Sequence, residues 1–284
     1  MRSRTLIGMP SHQPTIVLVH AHPDDEASTT GGVIARYSDQ GARIVLVTCT
    51  NGELGDSPLG ITPDHDEHDT AQVVAHRLEE LDASCEILGI DRLVLLGYHD
   101  SGMMGWPQND AEGSFWTTEV PVAARRLADI LDEEHADVVI TYDENGFYGH
   151  PDHIQANRIT LAAIEMAASK PKLYYATIAR SAFANFGALL AEHGIESPQP
   201  EETDDTTPEM GTDDAEIGAV IDVAAFVDRK RAALAAHASQ TAQSFFFQLP
   251  ESVFRQLFTN EWFVRVQDPT NQNGVEDDLL SGIR

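Results

Sequence analysis

The stretch TIVLVHAHPDDEAS at residues 15–28 decides the fold, because it joins a β-branched apolar run to an acidic turn containing histidine. A second stretch has the same arrangement, since the apolar run 138–140 precedes GHPDH at 149–153. Open α/β sheets have their ligand crevice at the carboxyl ends of the strands. Both turns are therefore expected at one edge of one sheet.

Strand and helix patterns alternate along the chain, which is typical of a parallel sheet with helices on both faces. The predicted strands are 16–21, 43–50, 93–98, 138–142 and 173–179. The predicted helices are 31–40, 70–88, 120–135 and 153–169, and a strand, a helix and a strand follow at 219–226, 228–239 and 261–266. The expected fold class is α/β, with a Rossmann-like, mostly parallel sheet and a site at the carboxyl ends of its strands.

A single domain is expected for residues 1–284. It would consist of a core (14–193), an acidic loop (194–218), a C-terminal strand–helix–strand unit (219–266) and a polar tail (267–284). The loop holds nine acidic residues and three prolines, a composition typical of a solvated segment. A lid over the site is the alternative for so long a loop.

The charge balance restricts the partners. The chain has 46 acidic and 18 basic residues and a formal charge of −28, which disfavours binding to nucleic acid or to an anionic membrane. No stretch approaches the ~20 apolar residues of a membrane helix, and the N-terminus lacks the apolar segment of a signal peptide. A cytoplasmic protein is expected, and its oligomeric state, monomer or homo-oligomer, stays open.

The two histidine turns predict a catalytic metal site. His22, Asp25 and His153 would offer zinc two imidazole nitrogens and a carboxylate oxygen, with a fourth position open for water. Helix capping explains an aspartate in each turn but not a histidine in each. Iron(II) accepts the same donor set and is the alternative metal.

These motifs resemble those of the zinc-dependent N-acetylglucosaminyl deacetylases of the PIG-L/LmbE type. The resemblance rests on HPDDE at 22–26, TCTNGELGD at 48–56 and YDENGFYGHPDH at 142–153. Weaker stretches, HRLEEL at 76–81 and YHDSGM at 98–103, are similar to the branch that handles mycothiol precursors and conjugates. The resemblance implies a Rossmann-like fold, a zinc ion and removal of acetyl from a small N-acetylglucosamine-type substrate.

Amide hydrolysis assigns further roles to the two turns. Asp24, beside a ligand but not counted as one, is expected to be the general base, and the resemblance implies the same. His150 lies three residues before His153, and one turn of chain cannot easily aim both at one ion. It is therefore expected to be protonated, stabilising the oxyanion or delivering a proton to the amine. Asp152 would orient His150 by accepting a hydrogen bond, or cap the helix. Tyr148 is either a further donor to the oxyanion or a core or loop aromatic.

The substrate-binding residues have two interpretations. The helical pattern around Arg77 favours an ion pair with Glu79 or Glu80. The resemblance instead implies that Arg77, together with Asp100 and Glu53, contacts sugar or inositol hydroxyls.

Three other functions remain as alternatives. An amidase that cleaves mycothiol S-conjugates would share the zinc chemistry. Thr29 favours the deacetylase, because the amidase branch typically has a lysine there, whereas YDENG at 142–146 is more similar to the amidase branch. A phosphoryl-receiver domain also has an aspartate pair after its first strand, but no lysine follows the fifth predicted strand here. The last alternative is a sugar- or zinc-binding module without catalytic activity.

Overall fold

One sheet organises the protein, whose computed structural model describes residues 12–196, 211–242 and 244–283. Its strands are β1 (Thr15–His20), β2 (Arg43–Thr50), β3 (Arg92–Tyr98), β4 (Val138–Thr141), β5 (Lys172–Thr177), β6 (Ala219–Asp222) and β7 (Asn260–Gln267). Within these described residues the strand order is β3-β2-β1-β4-β5-β7-β6. The first five strands are parallel, and β7 pairs antiparallel with β5 and with β6. The predicted Rossmann-like, mostly parallel sheet is confirmed.

Helices connect the strands and cover the sheet. They are α1 (Asp25–Asp39), α2 (Thr70–Leu88), α3 (Val120–Glu133), α4 (Gly146–Gly149), α5 (Pro151–Met166), α6 (Arg180–Glu192), α7 (Val227–Ala236), α8 (Ala238–Thr241), α9 (Phe245–Gln248) and α10 (Glu251–Leu257). Short 3-10 helices lie at Pro107–Asp110, Asp214–Glu216 and Ala224–Phe226. Among the described helices, none combines the length and the apolar character needed to cross a membrane.

Helix α1 begins six residues before the predicted start at residue 31, at Asp25. Its first turns are polar, so they show no apolar periodicity, yet most of these polar side chains are buried. They are buried because they face polar groups of the interior rather than solvent: Asp25 faces the site at the end of β1, Glu26 contacts His237, and Thr30 contacts His20. The polar composition of the first turns hid the start of the helix.

Both faces of the central strands are buried, because alternate side chains enter two different cores. Ile16 and Leu18 pack with residues of α1, α2 and α7 on one face. Val17 and Val19 pack with residues of α3 and α5 on the other. A strand of this kind has a continuous apolar sequence, which is why β1 and β2 are recognisable from the sequence alone.

The C-terminal segment differs from the expected polar tail. Leu279 and Leu280 are buried in the core that contains Ile16 and Leu18. The Glu276 carboxylate accepts hydrogen bonds from Lys172 Nζ at 2.6 Å and from the Tyr174 hydroxyl at 2.5 Å. A charged residue of this polar segment thus forms a buried ionic contact with β5. Of the predicted acidic loop, residues 197–210 lie outside the described residues.

Replacing Glu276 with glutamine is expected to lower the free energy of unfolding by about 3 kcal/mol, because it leaves the buried Lys172 ammonium without its carboxylate. Urea unfolding followed by circular dichroism measures the change. Glu251→Gln is the matched control, since Glu251 and Arg255 form an exposed pair on α10 and little loss is expected there. Equal losses in the two variants would contradict a role for the buried pair.

Candidate active site and metal centre

The two histidine turns meet at the carboxyl edge of the sheet. β1 leads into the turn that carries His22, and α1 follows with Asp25 in its first turn. β4 leads through α4 to His150, the N-cap of α5, and to His153 in the first turn of α5. β1 and β4 are hydrogen-bonded neighbours, so the two turns lie side by side.

The three predicted ligands bring their donor atoms together. His22 Nδ1 lies 3.3 Å from His153 Nε2. Asp25 Oδ2 lies 3.4 Å from His22 Nδ1 and 3.5 Å from His153 Nε2. Two ligand atoms bound to a tetrahedral zinc at 2.0–2.1 Å are about 3.3–3.4 Å apart. The donor set and its spacing therefore fit a zinc ion.

The charges suit metal binding directly at two of the three proposed donors. At His22 burial lowers the pKa, but the Asp100, Asp152 and Asp25 carboxylates outweigh it and raise the pKa well above its usual range, so a metal ion would have to displace a proton from this ring. Burial opposes ionisation of Asp25, but His153 and His22 outweigh it and hold the pKa of Asp25 well below its usual range. Burial lowers the pKa of His153 to about 4 despite the nearby Asp25, so the ring is neutral at pH 7. An ionised carboxylate and a neutral imidazole are the forms that bind a metal.

Tyr142, which is not among the predicted site residues, supports two of these residues. Its hydroxyl donates to Asp25 Oδ2 at 2.7 Å and accepts the Ala21 N–H at 2.8 Å. Its ring stacks on His153 with the ring centroids 4.1 Å apart. The residue ends an apolar strand and so resembles a core aromatic; its place in the YDENG motif was the available signal.

Asp152 contacts a different histidine from the one expected. Its Oδ2 lies 3.2 Å from His22 Nε2 and accepts the Ser101 N–H at 2.9 Å. Only its backbone N–H meets His150, donating to Nδ1 at 3.1 Å. The prediction that the Asp152 carboxylate orients His150 is therefore wrong: it orients His22, as carboxylates commonly do for metal-binding histidines.

His150 lies closer to the cluster than its sequence spacing suggested. It precedes α5 in an extended conformation, so its ring turns toward the same point as the ring of His153. One ligand atom from each of His22, His150 and His153 falls within 4.8 Å of the others. The structure thus contradicts the expectation that one turn of chain cannot easily aim both His150 and His153 at one ion.

The expected protonation of His150 is also wrong. Burial and the neighbouring His22 and His153 lower the pKa of His150 to about 3, which makes the ring neutral at pH 7. Because Nδ1 accepts the Asp152 N–H, the ring proton belongs on Nε2. His150 is thus a neutral donor rather than an imidazolium.

Asp24 is held in an unusual conformation. Its φ is 132°, in a region that residues other than glycine rarely adopt. Its N–H donates to Glu26 Oε2 at 3.0 Å, and its carboxylate accepts from Arg77 Nη2 at 3.1 Å. Burial raises the pKa of Asp24 to about 6, against the lowering effect of Arg77. A carboxylate with this pKa can exchange protons near neutral pH.

Arg77 stabilises the turn that contains Asp24 through several hydrogen bonds. Besides Asp24, it donates from Nη2 to the Pro23 carbonyl at 2.6 Å and from Nη1 to the Gly52 carbonyl at 2.7 Å. Gly52 has a φ of +65°, and a Cβ there would lie 2.5 Å from Arg77 Nη1. The predicted ion pair with Glu79 or Glu80 is wrong, because the buried guanidinium faces the turn; Glu80 instead accepts from Ser239.

The other predicted substrate-binding residues take different positions. Asp100 is buried, lines the site cavity and has Oδ1 3.8 Å from His22 Nε2. Glu53 is buried beside His99, with Oε1 2.5 Å from His99 Nδ1, and it is not among the residues that line the cavity. The structure thus brings Asp100, but not Glu53, to the cavity surface.

A cavity of about 680 Å³ opens over the cluster. His22, Asp24, Asp25, His150 and His153 lie in its wall. Tyr148 also lines it, with its ring centroid 5.1 Å from that of His153. A cavity of this size holds a small-molecule substrate next to the donor atoms.

Comparisons with known proteins identify the family that this chain resembles. A sequence model of the family described as PIG-L, GlcNAc-PI de-N-acetylase, matches residues 17–164. A 1D-myo-inositol 2-acetamido-2-deoxy-α-D-glucopyranoside deacetylase from Acidothermus cellulolyticus is 42% identical and covers 95% of each chain. The enzyme of the same name from Thermomonospora curvata is 37% identical, covering 94% of this chain and 96% of its own. The solved N,N'-diacetylchitobiose deacetylase from Pyrococcus horikoshii shares the fold, with a TM-score of 0.52 and 19% identity over 85% of this chain and 73% of its own.

Proposed function

The chain belongs to the PIG-L family of GlcNAc-PI de-N-acetylases, and on that premise we propose that it is a zinc-dependent hydrolase that removes acetyl from 1D-myo-inositol 2-acetamido-2-deoxy-α-D-glucopyranoside. The observation that carries the proposal is the spacing of 3.3–3.5 Å among donor atoms of His22, Asp25 and His153, with Asp24 beside them. That arrangement combines a metal site with a separate proton acceptor. A small-molecule partner also suits a chain of charge −28.

The metal would be held by His22, Asp25 and His153, supported by Asp152 and Tyr142. A bound zinc ion supplies a Lewis acid for the amide carbonyl and the attacking water. Iron(II) would suit the same donors and is the alternative metal.

Asp24 takes the proton from the attacking water. The water oxygen then bonds to the acyl carbon, and the C–N bond breaks as the nitrogen leaves with a proton. Asp24 carries the proton that it took from the water, and it transfers this proton to the leaving amine. Arg77 keeps the carboxylate in position through the hydrogen bonds to Asp24 and to the Pro23 carbonyl.

His150 stabilises the carbonyl oxygen as it gains negative charge. Its Nε2–H is a neutral donor with a fixed tautomer, so no charge has to be created before the reaction. Tyr148 reaches the same cavity and is assigned as a second donor.

On the substrate side, we assign the hydroxyl contacts to Asp100 and Arg77, which line the cavity. Glu53 would act only through His99. Because β6 and β7 continue the sheet begun by β1 to β5, residues 1–284 are proposed to form one domain.

Cleavage of mycothiol S-conjugates is the second candidate function. Thr29 bears on this choice because it lines the cavity at the position where the amidase branch typically has a lysine. The threonine supplies no cation for a larger acyl group, which favours the deacetylase.

Zinc-loaded protein is expected to release acetate from the N-acetylglucosaminyl-inositol with a kcat/KM about 100-fold above that for amine release from a mycothiol bimane conjugate. Acetate is measured by an enzyme-coupled assay and the amine by fluorescent labelling. His153→Ala protein provides the background for both. A preference for the conjugate would assign the amidase function, and no hydrolysis of either would leave a binding module.

A further inference from the structure

One wall of the cavity is strongly aromatic. It consists of Ala182, Phe183 and Phe186 on α6, Phe246 on α9, Phe258 after α10, and Trp262 on β7. We name this set the aromatic wall. Phe183 and Phe246 keep 40% and 39% of their surface exposed, so the wall offers apolar area that the protein itself does not cover.

The strand order places this wall opposite the charged part of the cavity. The metal-centre residues follow β1 and β4 in the middle of the sheet. Asp100 follows β3 on one side of them, and Arg77 contacts the loop after β2 on that same side. The aromatic wall follows β5 and includes β7, on the other side.

Two charged residues also lie near the aromatic wall, but they satisfy each other. Lys230 Nζ lies 2.7 Å from Glu261 Oε1. The Glu261 carboxylate further accepts the N–H groups of Gly32 and Val33, both at 2.8 Å. This pair therefore leaves few hydrogen-bonding groups free to bind a ligand on that side of the cavity.

We propose that the aromatic wall is an acyl-binding subsite that takes linear N-acyl chains longer than acetyl. The inference rests on the proposed function. A scissile amide at the metal centre, with its hydroxyl-bearing half toward Asp100 and Arg77, directs its acyl half toward β5. An acetyl methyl would leave most of the wall uncovered, whereas each additional buried CH₂ strengthens binding by about fourfold.

The reaction would be the same hydrolysis with a different acid as product. Water adds to the acyl carbon, the C–N bond breaks, and the amine leaves with a proton. The products are the free amino sugar and a medium-chain carboxylate. No further reactant is required.

The test compares N-acetyl with N-hexanoyl glucosaminyl-inositol on the zinc-loaded full-length protein. We expect a KM about tenfold lower for the hexanoyl than for the acetyl substrate, with the two kcat values within about threefold of each other. The decrease in KM is smaller than the combined effect of four buried CH₂ groups, because ordering the chain costs entropy. Ala182→Phe, which fills the wall, should lower the hexanoyl-to-acetyl ratio of kcat/KM at least about tenfold. Ala184→Phe is the matched control, since Ala184 is exposed on the same helix and does not line the cavity.

Hexyl N-acetylglucosaminide, which carries its chain on the sugar side, provides the second arm. In one outcome the hexyl chain lowers KM for this compound, with the decrease abolished by Ala182→Phe and absent for the hexanoyl substrate. That combination would show that the aromatic wall binds the aglycone, and it would overturn the proposal. Slower hydrolysis of the hexanoyl than of the acetyl substrate by the unmodified protein would also overturn it, even if Ala182→Phe fails to fold. Failure to hydrolyse the acetyl substrate as well would instead refute the proposed function, and this inference with it.

Discussion

Alanine in place of His22, Asp25 or His153 is expected to remove the bound zinc and to reduce hydrolysis more than about 10⁴-fold, beyond the usual loss for a general base alone. Each of the three supplies one donor atom to a set spaced 3.3–3.5 Å apart, so two remaining donors cannot complete the site. The fold should persist, because the cluster lies at the sheet edge while both cores lie on its faces.

Metal content by mass spectrometry, acetate release and thermal unfolding are measured on each variant. His65→Ala is the control, since His65 is exposed in a loop. Protein purified without oxygen is analysed for zinc and iron together, which decides between the two metals. Full metal occupancy in one variant would exclude that residue from the ligand set. Metal retained in Asp25→Ala, but lost in His150→Ala as well as in His22→Ala and His153→Ala, would instead assign the ion to the three histidines, whose ligand atoms lie within 4.8 Å of one another.

Asp24→Asn is expected to keep the zinc and to lose about 10²–10⁴-fold in kcat, the usual contribution of a general base. The amide cannot take a proton from water, but its oxygen can still accept the Arg77 hydrogen bond. Asparagine has nearly the size and shape of aspartate, so the strained turn should survive.

Single-turnover acetate release, with metal content measured on the same sample, separates chemistry from metal loss. Asp129→Asn is the control, because it makes the same substitution at an exposed position on α3. Its kcat and zinc content should equal those of the unmodified protein. A nearly normal kcat in Asp24→Asn would mean that this residue shapes the turn without moving a proton.

The convergence of the ligands could be predicted because each of His22 and His153 follows a recognisable strand. Parallel strands end at a common edge, so two local patterns were enough to place the residues together. The partners of Asp152 and Arg77 could not be predicted in this way. Asp152 meets His22 across 130 residues and Arg77 meets Pro23 across 54, and such contacts depend on how elements pack.

Local sequence patterns also gave wrong predictions for polar side chains that are buried in the folded protein. The first turns of α1 appeared to be a loop because their buried residues are polar. Tyr142 appeared to be an ordinary strand residue because only the folded sheet brings its hydroxyl to Asp25. In both cases the chemistry of the site, rather than hydrophobic burial, fixes the residue type, and periodicity carries no information about it.

The ionic contact between β5 and the C-terminal segment has a consequence for the order of events during synthesis. Lys172 and Glu276 are separated by 104 residues, so β5 leaves the ribosome well before its buried ammonium can meet a carboxylate. At ordinary elongation rates the interval is about 5–20 s, long compared with collapse of the preceding chain. Until then the Lys172 ammonium has no carboxylate partner, and it can stay hydrated because β5 is the unpaired edge of the first five strands. Completion of the core is thus limited by translation, since the buried Leu279 and Leu280 are synthesised after β7.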